Sequence, residues 1–416
     1  MFSIVFLILL CCYGYLGVVF CRDKQIKQFV YFTVILPITP ALTPLHTRFQ
    51  ITIYYAFLII PIVLFALTAL KRKQLNKVVA SVGMVVCGFI MLYLPWGIFQ
   101  NSQDSTIVNL LKDLKPILFL FVGFLFLTLL RGQQLAWNGP FAAKLLRVNF
   151  FVTLFFFLLL NTTNVLGFVS NDVFYKTMST RYLSMGTFYV IFYFIAQLAA
   201  NKKLKPIELL YIIIPIILSG NRTFLLVLLA VFVISTVMAI SNVQLFIKRM
   251  LLFFGGGILL VIGILNFNTS LRERALSLFH VTDIFNELSE RRFSPFFSQL
   301  DGFEWYHYLF GKGLGETFFI PWFEYRENIE NYNIYMDNIY MTLYVKYGLG
   351  MLAILLLFFY FINRTNTNKK YKILIISYFS IIGLTTSFLY QYSFLFILLL
   401  LAAFKIHGPE LETKDL

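Results

Sequence analysis

Charge is what this sequence has least of. Only 13% of its 416 residues are charged, against roughly 25% in an average soluble protein. With 59% hydrophobic residues and a mean hydropathy of +0.80, too little polar surface exists to face water, which excludes a soluble globular domain. Acids are scarcer than bases, 19 against 34, so the formal net charge is +15. Cysteine is rare as well. Cys11, Cys12, Cys21 and Cys87 all lie outside the one long hydrophilic stretch, so no disulfide framework is implied. His46, His280, His307 and His407 are dispersed, with no paired-ligand spacing, and no acidic cluster calls for a cation. No metal and no cofactor is therefore expected. No basic patch lies in a folded soluble domain, which removes nucleic acid as a partner despite the net charge.

What the chain has in abundance is apolar runs bounded by polar clusters. They cover 2–20, 28–45, 51–70, 78–99, 114–130, 148–169, 182–200, 206–219, 223–240, 250–266, 338–362, 373–388 and 389–405. A helix needs about 20 residues to cross a hydrocarbon core about 30 Å thick. The reading is an all-α, polytopic membrane protein of about 12–13 transmembrane helices. A β-barrel is excluded, because runs such as Phe150 to Leu160 do not alternate with period 2. Pro37, Pro40 and Pro44 interrupt the span at 28–45, and those at 206–219 and 373–388 are short. Residues 1–20 lack a basic leading region and a small-residue cleavage site, and read as a retained span. About ten spans thus fill 1–266. A large extracytoplasmic loop with amphipathic helices follows at 267–337, then three spans over 338–405 and a cytoplasmic tail at 406–416.

The basic residues give orientation. In alternate loops stand Arg22, Lys24, Lys27, Lys71, Arg72, Lys73, Lys77, Arg131, Lys144, Arg147, Lys202, Lys203, Lys205, Lys248, Arg249, Arg364, Lys369, Lys370, Lys372, Lys405 and Lys414. These are 21 of the 34, and the positive-inside rule makes their side cytoplasmic. This set is mostly lysine. The opposite side carries eight arginines and five lysines. Guanidinium is the better fork for phosphate and carboxylate, so an Arg-rich outer face points to an anionic ligand; scatter among few residues is the competing explanation.

Residues 267–337 hold 11 of the 19 acids, with His280, His307, Trp305 and Trp322. Carboxylates among aromatic rings suit carbohydrate. Interfacial aromatics on a solvated loop are the plainer alternative. Leu271 to Arg292 has charges punctuating apolar residues at helical spacing, as in an amphipathic helix on a membrane surface.

Three segments stand out. Ser219-Gly220-Asn221-Arg222-Thr223 sits between two outer span ends. A guanidinium beside a helix N-terminus is a natural pyrophosphate site, and snorkelling to headgroups is the alternative for Arg222. Leu309-Phe310-Gly311-Lys312-Gly313-Leu314-Gly315 has three alternate glycines, which allow a tight turn and close backbone approach; it has neither the dinucleotide nor the P-loop pattern, and a simple loop is the plainer reading. Asp337-Asn338-Ile339-Tyr340 opens a strong span that continues to Lys346-Tyr347-Gly348-Leu349-Gly350. Partial desolvation at such a boundary makes a carboxylate a better proton acceptor. Helix capping by Asp337 is the other reading.

In this order and on this common side, the segments over about 205–365 resemble the bacterial O-antigen and capsular polysaccharide repeat-unit polymerases (the Wzy type), relatives of the O-antigen ligases. The resemblance implies a membrane-embedded, inverting glycosyltransferase of the bacterial cytoplasmic membrane, with its site on the extracytoplasmic side. Such an enzyme moves a growing glycan from undecaprenyl pyrophosphate to the non-reducing end of another lipid-linked repeat unit. The implied partners are undecaprenyl-pyrophosphate-linked oligosaccharide, the lipid bilayer and a chain-length regulator. On that resemblance Asp337 is the general base and Arg222 stabilises the leaving pyrophosphate. Arg272, Arg274, Arg291 and Arg292 assist, and His307, Asn338 and Tyr340 position sugars. The ligases carry His where Asp337 stands, which favours the polymerase. A ligase and a lipid-linked oligosaccharide flippase remain the alternatives.

Overall fold

A computed structural model describes residues 26–35, 77–100, 107–162, 184–238, 293–320 and 332–406, with 203, 220 and 392 excepted, and a few isolated helical positions. Its elements follow the local signals. Helix α1 (Ile26–Ile35) stops short of Pro37. Next come α2 (Lys77–Gln100), α3 (Ile107–Asp113), α4 (Lys115–Leu129) and the two-residue strand β1 (Leu135–Ala136). Helix α5 (Pro140–Thr162) begins eight residues before the sequence boundary at 148. Proline is preorganised for the first helical position, and the first turns absorb Lys144 and Arg147, which sequence reading had left in a loop.

Helices α6 (Met185–Ala199), α7 (Pro206–Leu218) and α8 (Arg222–Val237) match their expected runs closely. Ser184 caps α6 through Gly186 N–H, and Asn221 caps α8 through Thr223 N–H. The hydrophilic stretch contributes α9 (Ser294–Leu300), α10 (Trp305–Phe310) and strands β2 (Phe318–Phe319) and β3 (Tyr332–Asn333), paired antiparallel. Its predicted amphipathic segment at 271–292 lies outside the described residues. The chain continues through α11 (Ile339–Tyr347), a 3₁₀ turn (Gly348–Gly350), α12 (Met351–Thr365), α13 (Lys369–Gly383), α14 (Ser393–Ala403) and β4 (Phe404–Lys405).

The molecule is thus mostly helical, as the all-α reading expected. Among the described residues two stretches, Lys77–Gln100 and Ile339–Thr365, are long and apolar enough to cross a membrane, and five further apolar helices are shorter. Helix α6 is buried along its whole length and α14 from Phe394 onward, which suits sequences apolar on every side. Around them α2, α5, α8 and α12 turn apolar residues outward, among them Met91, Phe99, Phe151, Leu226, Val233 and Leu356.

The connections sort to two ends. At one, β1 pairs in parallel with β4, and Trp137 stacks on Phe404 at 4.2 Å. There Gln134 Nε2 donates to the Ala402 carbonyl at 2.9 Å, Lys202 Nζ to the Asn138 carbonyl at 3.1 Å and Lys370 Nζ to Asn201 Oδ1 at 2.8 Å. These lysines belong to the set counted as cytoplasmic, so loops expected to share a face do share one. At the other end the C-terminal turn of α2, α3, the glycine loop, residues 335–338 and 384–391 come together. We call these the lysine end and the glycine-loop end.

Candidate functional site

The glycine loop is built by backbone contact. Helix α11 ends at Tyr347 because Gly348 takes φ +52°, which frees the last carbonyls of the helix. Those carbonyls are met from outside the helix. Lys312 N–H donates to the Val345 carbonyl at 2.8 Å and Gly313 N–H to that of Lys346 at 2.9 Å. The Tyr93 hydroxyl donates to the Tyr347 carbonyl at 2.9 Å, and Trp96 Nε1 to that of Gly311 at 3.0 Å. Glycines on both sides of the contact admit this approach. A Cβ on Gly348 would stand 2.4 Å from the Leu309 oxygen, and one on Gly97 would stand 2.5 Å from the Leu314 backbone. The loop is therefore wedged between α2 and the break after α11.

Beneath it lies an ion pair that the sequence did not disclose. Lys346 Nζ sits 2.6 Å from Asp113 Oδ2, and both side chains are wholly buried. The ammonium also donates to the Glu316 carbonyl at 2.5 Å and lies over the Phe318 ring. Asp113 Oδ2 further accepts Gly315 N–H at 2.7 Å, and its own carbonyl accepts the Tyr347 hydroxyl at 2.9 Å. Burial pushes the Asp113 carboxyl up from its ordinary value, against the opposing pull of Lys346. One carboxylate thus ties the end of α3 to α11 and to the glycine loop.

Asp337 is exposed, and its neighbours are anchored. Met336 N–H donates to Thr342 Oγ1 at 3.0 Å, and the Met336 carbonyl accepts a short bond from Ser387 Oγ. Asn338 is buried. Its Oδ1 accepts Met341 N–H at 3.1 Å and its Nδ2 donates to the Leu384 carbonyl at 3.2 Å. The helix cap considered for Asp337 is thus made by Asn338. The Tyr340 hydroxyl donates to the Ser380 carbonyl at 3.0 Å. Asn338 and Tyr340, expected to position sugars, spend these polar atoms on the backbone and hold the segment that carries Asp337.

His307 is turned inward, with only 6% of its surface exposed. Its Nδ1 accepts Glu304 N–H at 2.9 Å, a reciprocal cap at the start of α10. Burial, with Lys312 adding to it, holds the imidazole below its ordinary value. The ring is then neutral near pH 7 with its proton on Nε2, which is buried without a hydrogen-bond partner among the described residues. Sugar contact is not what this placement favours.

Arg222 opens α8 at the end away from the lysine loops, since α7 rises from the lysine end at Pro206 and finishes at Leu218, close before Arg222. Its side chain, and all of Arg272, Arg274, Arg291 and Arg292, lie outside the described residues. Among the described residues no group of three or more His, Cys, Asp or Glu stands ready to hold a metal ion.

Residues 141–410 match the model of a family of unknown function, DUF6369, and the chain belongs to that family. No curated protein matches it, and no solved structure does. Asp113, Trp96 and Gly97 fall before the matched region, yet they hold residues inside it.

Proposed function

We propose that this chain is a polytopic protein of the bacterial cytoplasmic membrane that polymerises lipid-linked glycan repeat units on the extracytoplasmic side. Helices that turn Leu, Met, Phe and Val outward along their length support a bilayer as solvent, because monomeric soluble proteins rarely expose contiguous apolar patches of that size. The observation that carries the enzymatic reading is the mounting of Asp337. Asp337 is exposed at the glycine-loop end, and its neighbours on both sides are immobilised. A general base needs that kind of fixed support.

The step balances without a cofactor. A hydroxyl oxygen of one repeat unit attacks the anomeric carbon of the other glycan, and Asp337 takes the hydroxyl proton. The bond from the anomeric carbon to the pyrophosphate oxygen breaks. Undecaprenyl pyrophosphate leaves with the electron pair, beside the N-terminus of α8 and Arg222. Configuration at the anomeric carbon inverts.

The test is purified protein in lipid nanodiscs with undecaprenyl-pyrophosphate-linked repeat units as sole substrate. Wild type should yield a ladder, Asp337→Asn should lose it, and Arg222→Lys should be impaired because the fork is gone. A full ladder from Asp337→Asn refutes the base. No ladder from wild type refutes the polymerase and leaves the ligase or the flippase. The flippase draws on one observation of its own: Lys346, a charge paired to Asp113, lies inside the candidate span Ile339–Thr365.

A further inference from the structure

Helix α10 is built inside out. Its sequence, Trp-Tyr-His-Tyr-Leu-Phe, holds one ionisable imidazole, and that ring is the buried one. Trp305, Tyr308, Leu309 and Phe310 face outward instead, Trp305 with 75% of its surface exposed. A short helix on a water-facing loop shows the opposite pattern, polar out and apolar in.

Its position explains the inversion. The C-terminal turn of α2 lies against α10. Trp96 meets Phe310 at 6.0 Å and Tyr306 edge-on at 5.7 Å, and stacks on Phe99, itself 75% exposed. The exposed apolar face of α2 runs up through Met91 and Leu92 to Ile98 and Phe99, and α10 extends it. On the other side the Leu309 carbonyl presses on Gly348, just before the exposed Leu349 of the 3₁₀ turn and the exposed Leu352 of α12. A single apolar band thus crosses from the end of one candidate span, over α10, to the break in the other.

We propose that α10 lies in the membrane interface, with lipid headgroups and upper acyl chains as its partner. This rests on the reading that α2 and α11–α12 cross a bilayer, and it adds that the hydrophilic stretch is anchored to that bilayer between them. Trp and Tyr concentrate at that depth, where an apolar ring with a polar handle is satisfied at both ends. A glycan fits less well, since the flanking Ile98, Phe99, Leu309 and Phe310 offer no side-chain donor or acceptor to a hydroxyl. The anchor also gives the glycine loop a fixed depth, because Gly311 N–H is bonded to the His307 carbonyl at 2.8 Å.

The experiment reads tryptophan emission in nanodiscs of phosphatidylcholine brominated at shallow acyl positions. The Trp305 signal is the difference between native protein and Trp305→Phe. Loss of most of that signal to bromolipid, with little loss to aqueous iodide, is expected. Adding Tyr308→Trp to Trp305→Phe moves the probe one place along the exposed face and should behave alike. Iodide quenching without bromolipid quenching overturns the anchor, as does a Trp305 signal that shifts only when a soluble glycan is added. Met91→Trp, on the lipid side of α2, separates the two levels. If it is quenched by bromolipid and Trp305 is not, the anchor alone fails. If neither is quenched, the membrane reading falls and the anchor with it.

Discussion

Asp113→Asn, Lys346→Met and the two combined probe the least replaceable contact in the described structure. Asparagine keeps an acceptor for Gly315 N–H and removes the charge that balances Lys346; methionine removes the charge that balances Asp113. Each single change should cost about 3–5 kcal/mol, since each leaves one buried charge without its partner. Acting independently the two would cost about 6–10 kcal/mol together. The combined variant has no buried charge and retains the Gly315 bond. It loses the ammonium's bond to the Glu316 carbonyl, at about 1–3 kcal/mol. It should therefore be at least as stable as either single variant, with a coupling of roughly 3 kcal/mol or more. Equilibrium unfolding in mixed detergent micelles, followed by tryptophan emission, measures all four corners of the cycle. A combined loss equal to the sum of the singles, or a single variant as stable as wild type, would refute the clamp.

Glycine positions give a graded check by the same assay. Gly348→Ala must tolerate both φ +52° and a Cβ 2.4 Å from the Leu309 oxygen, and should cost about 2 kcal/mol or more. Gly97→Ala should behave similarly against the Leu314 backbone, whereas Gly88→Ala, with nothing within 4 Å, should be neutral or mildly stabilising. His307 supplies a pH dependence. Its folded-state pKa is lowered, so the unfolded chain binds the proton more readily. Its contribution is then fully present above the unfolded value of about 6.5 and is lost as pH falls toward the folded one. Unfolding scans from pH 7.5 to pH 5 should show native protein losing more stability than His307→Gln; equal slopes would mean that the ring does not act as the neutral cap of α10.

Much of this was legible in local signals. Pro206 starts a helix, Asn221 and Asn338 cap two more, and the α6 to α8 boundaries fall within three residues of the apolar runs. Charge alternation placed Lys202 and Lys370 on one face, and both lie at one end. Tertiary pairing was not legible. Asp113 and Lys346 stand 233 residues apart, and nothing in one sequence joins them. Lys346 alone was a signal, a single charge among apolar neighbours and costly unless partnered, whereas Asp113 stands between Lys112 and Lys115 and gave none. The Glu304–His307 spacing was also readable as a reciprocal cap, but an ionisable ring in a polar loop drew the ligand reading instead. The alternate glycines of the loop were readable as room for a tight turn and close backbone approach, and backbone is pressed against backbone there; which distant segments it meets was not legible.

The clamp bears on how a reaction at the glycine-loop end would be organised. Asp337 stands at the N-terminal edge of α11, and Lys346 near its other end is held by Asp113 from a different part of the chain. The same helix carries Thr342, which bonds Met336, and follows Asn338, which bonds the turn after α13. A carboxylate mounted in this way has little freedom to follow a substrate. On the proposed polymerase reading, the acceptor sugar would have to come to it, at a depth set by α11 and by the proposed anchor of α10. On the same reading, the parts that vary with the glycan are expected in 267–292 and 321–331, which hold most of the arginines that charge alternation assigns to the outer side. Exchanging 321–331 between members of this family should therefore change which repeat unit is polymerised while the Asp113–Lys346 coupling stays intact. An exchange that abolished the coupling instead would place that segment inside the clamp and refute the division.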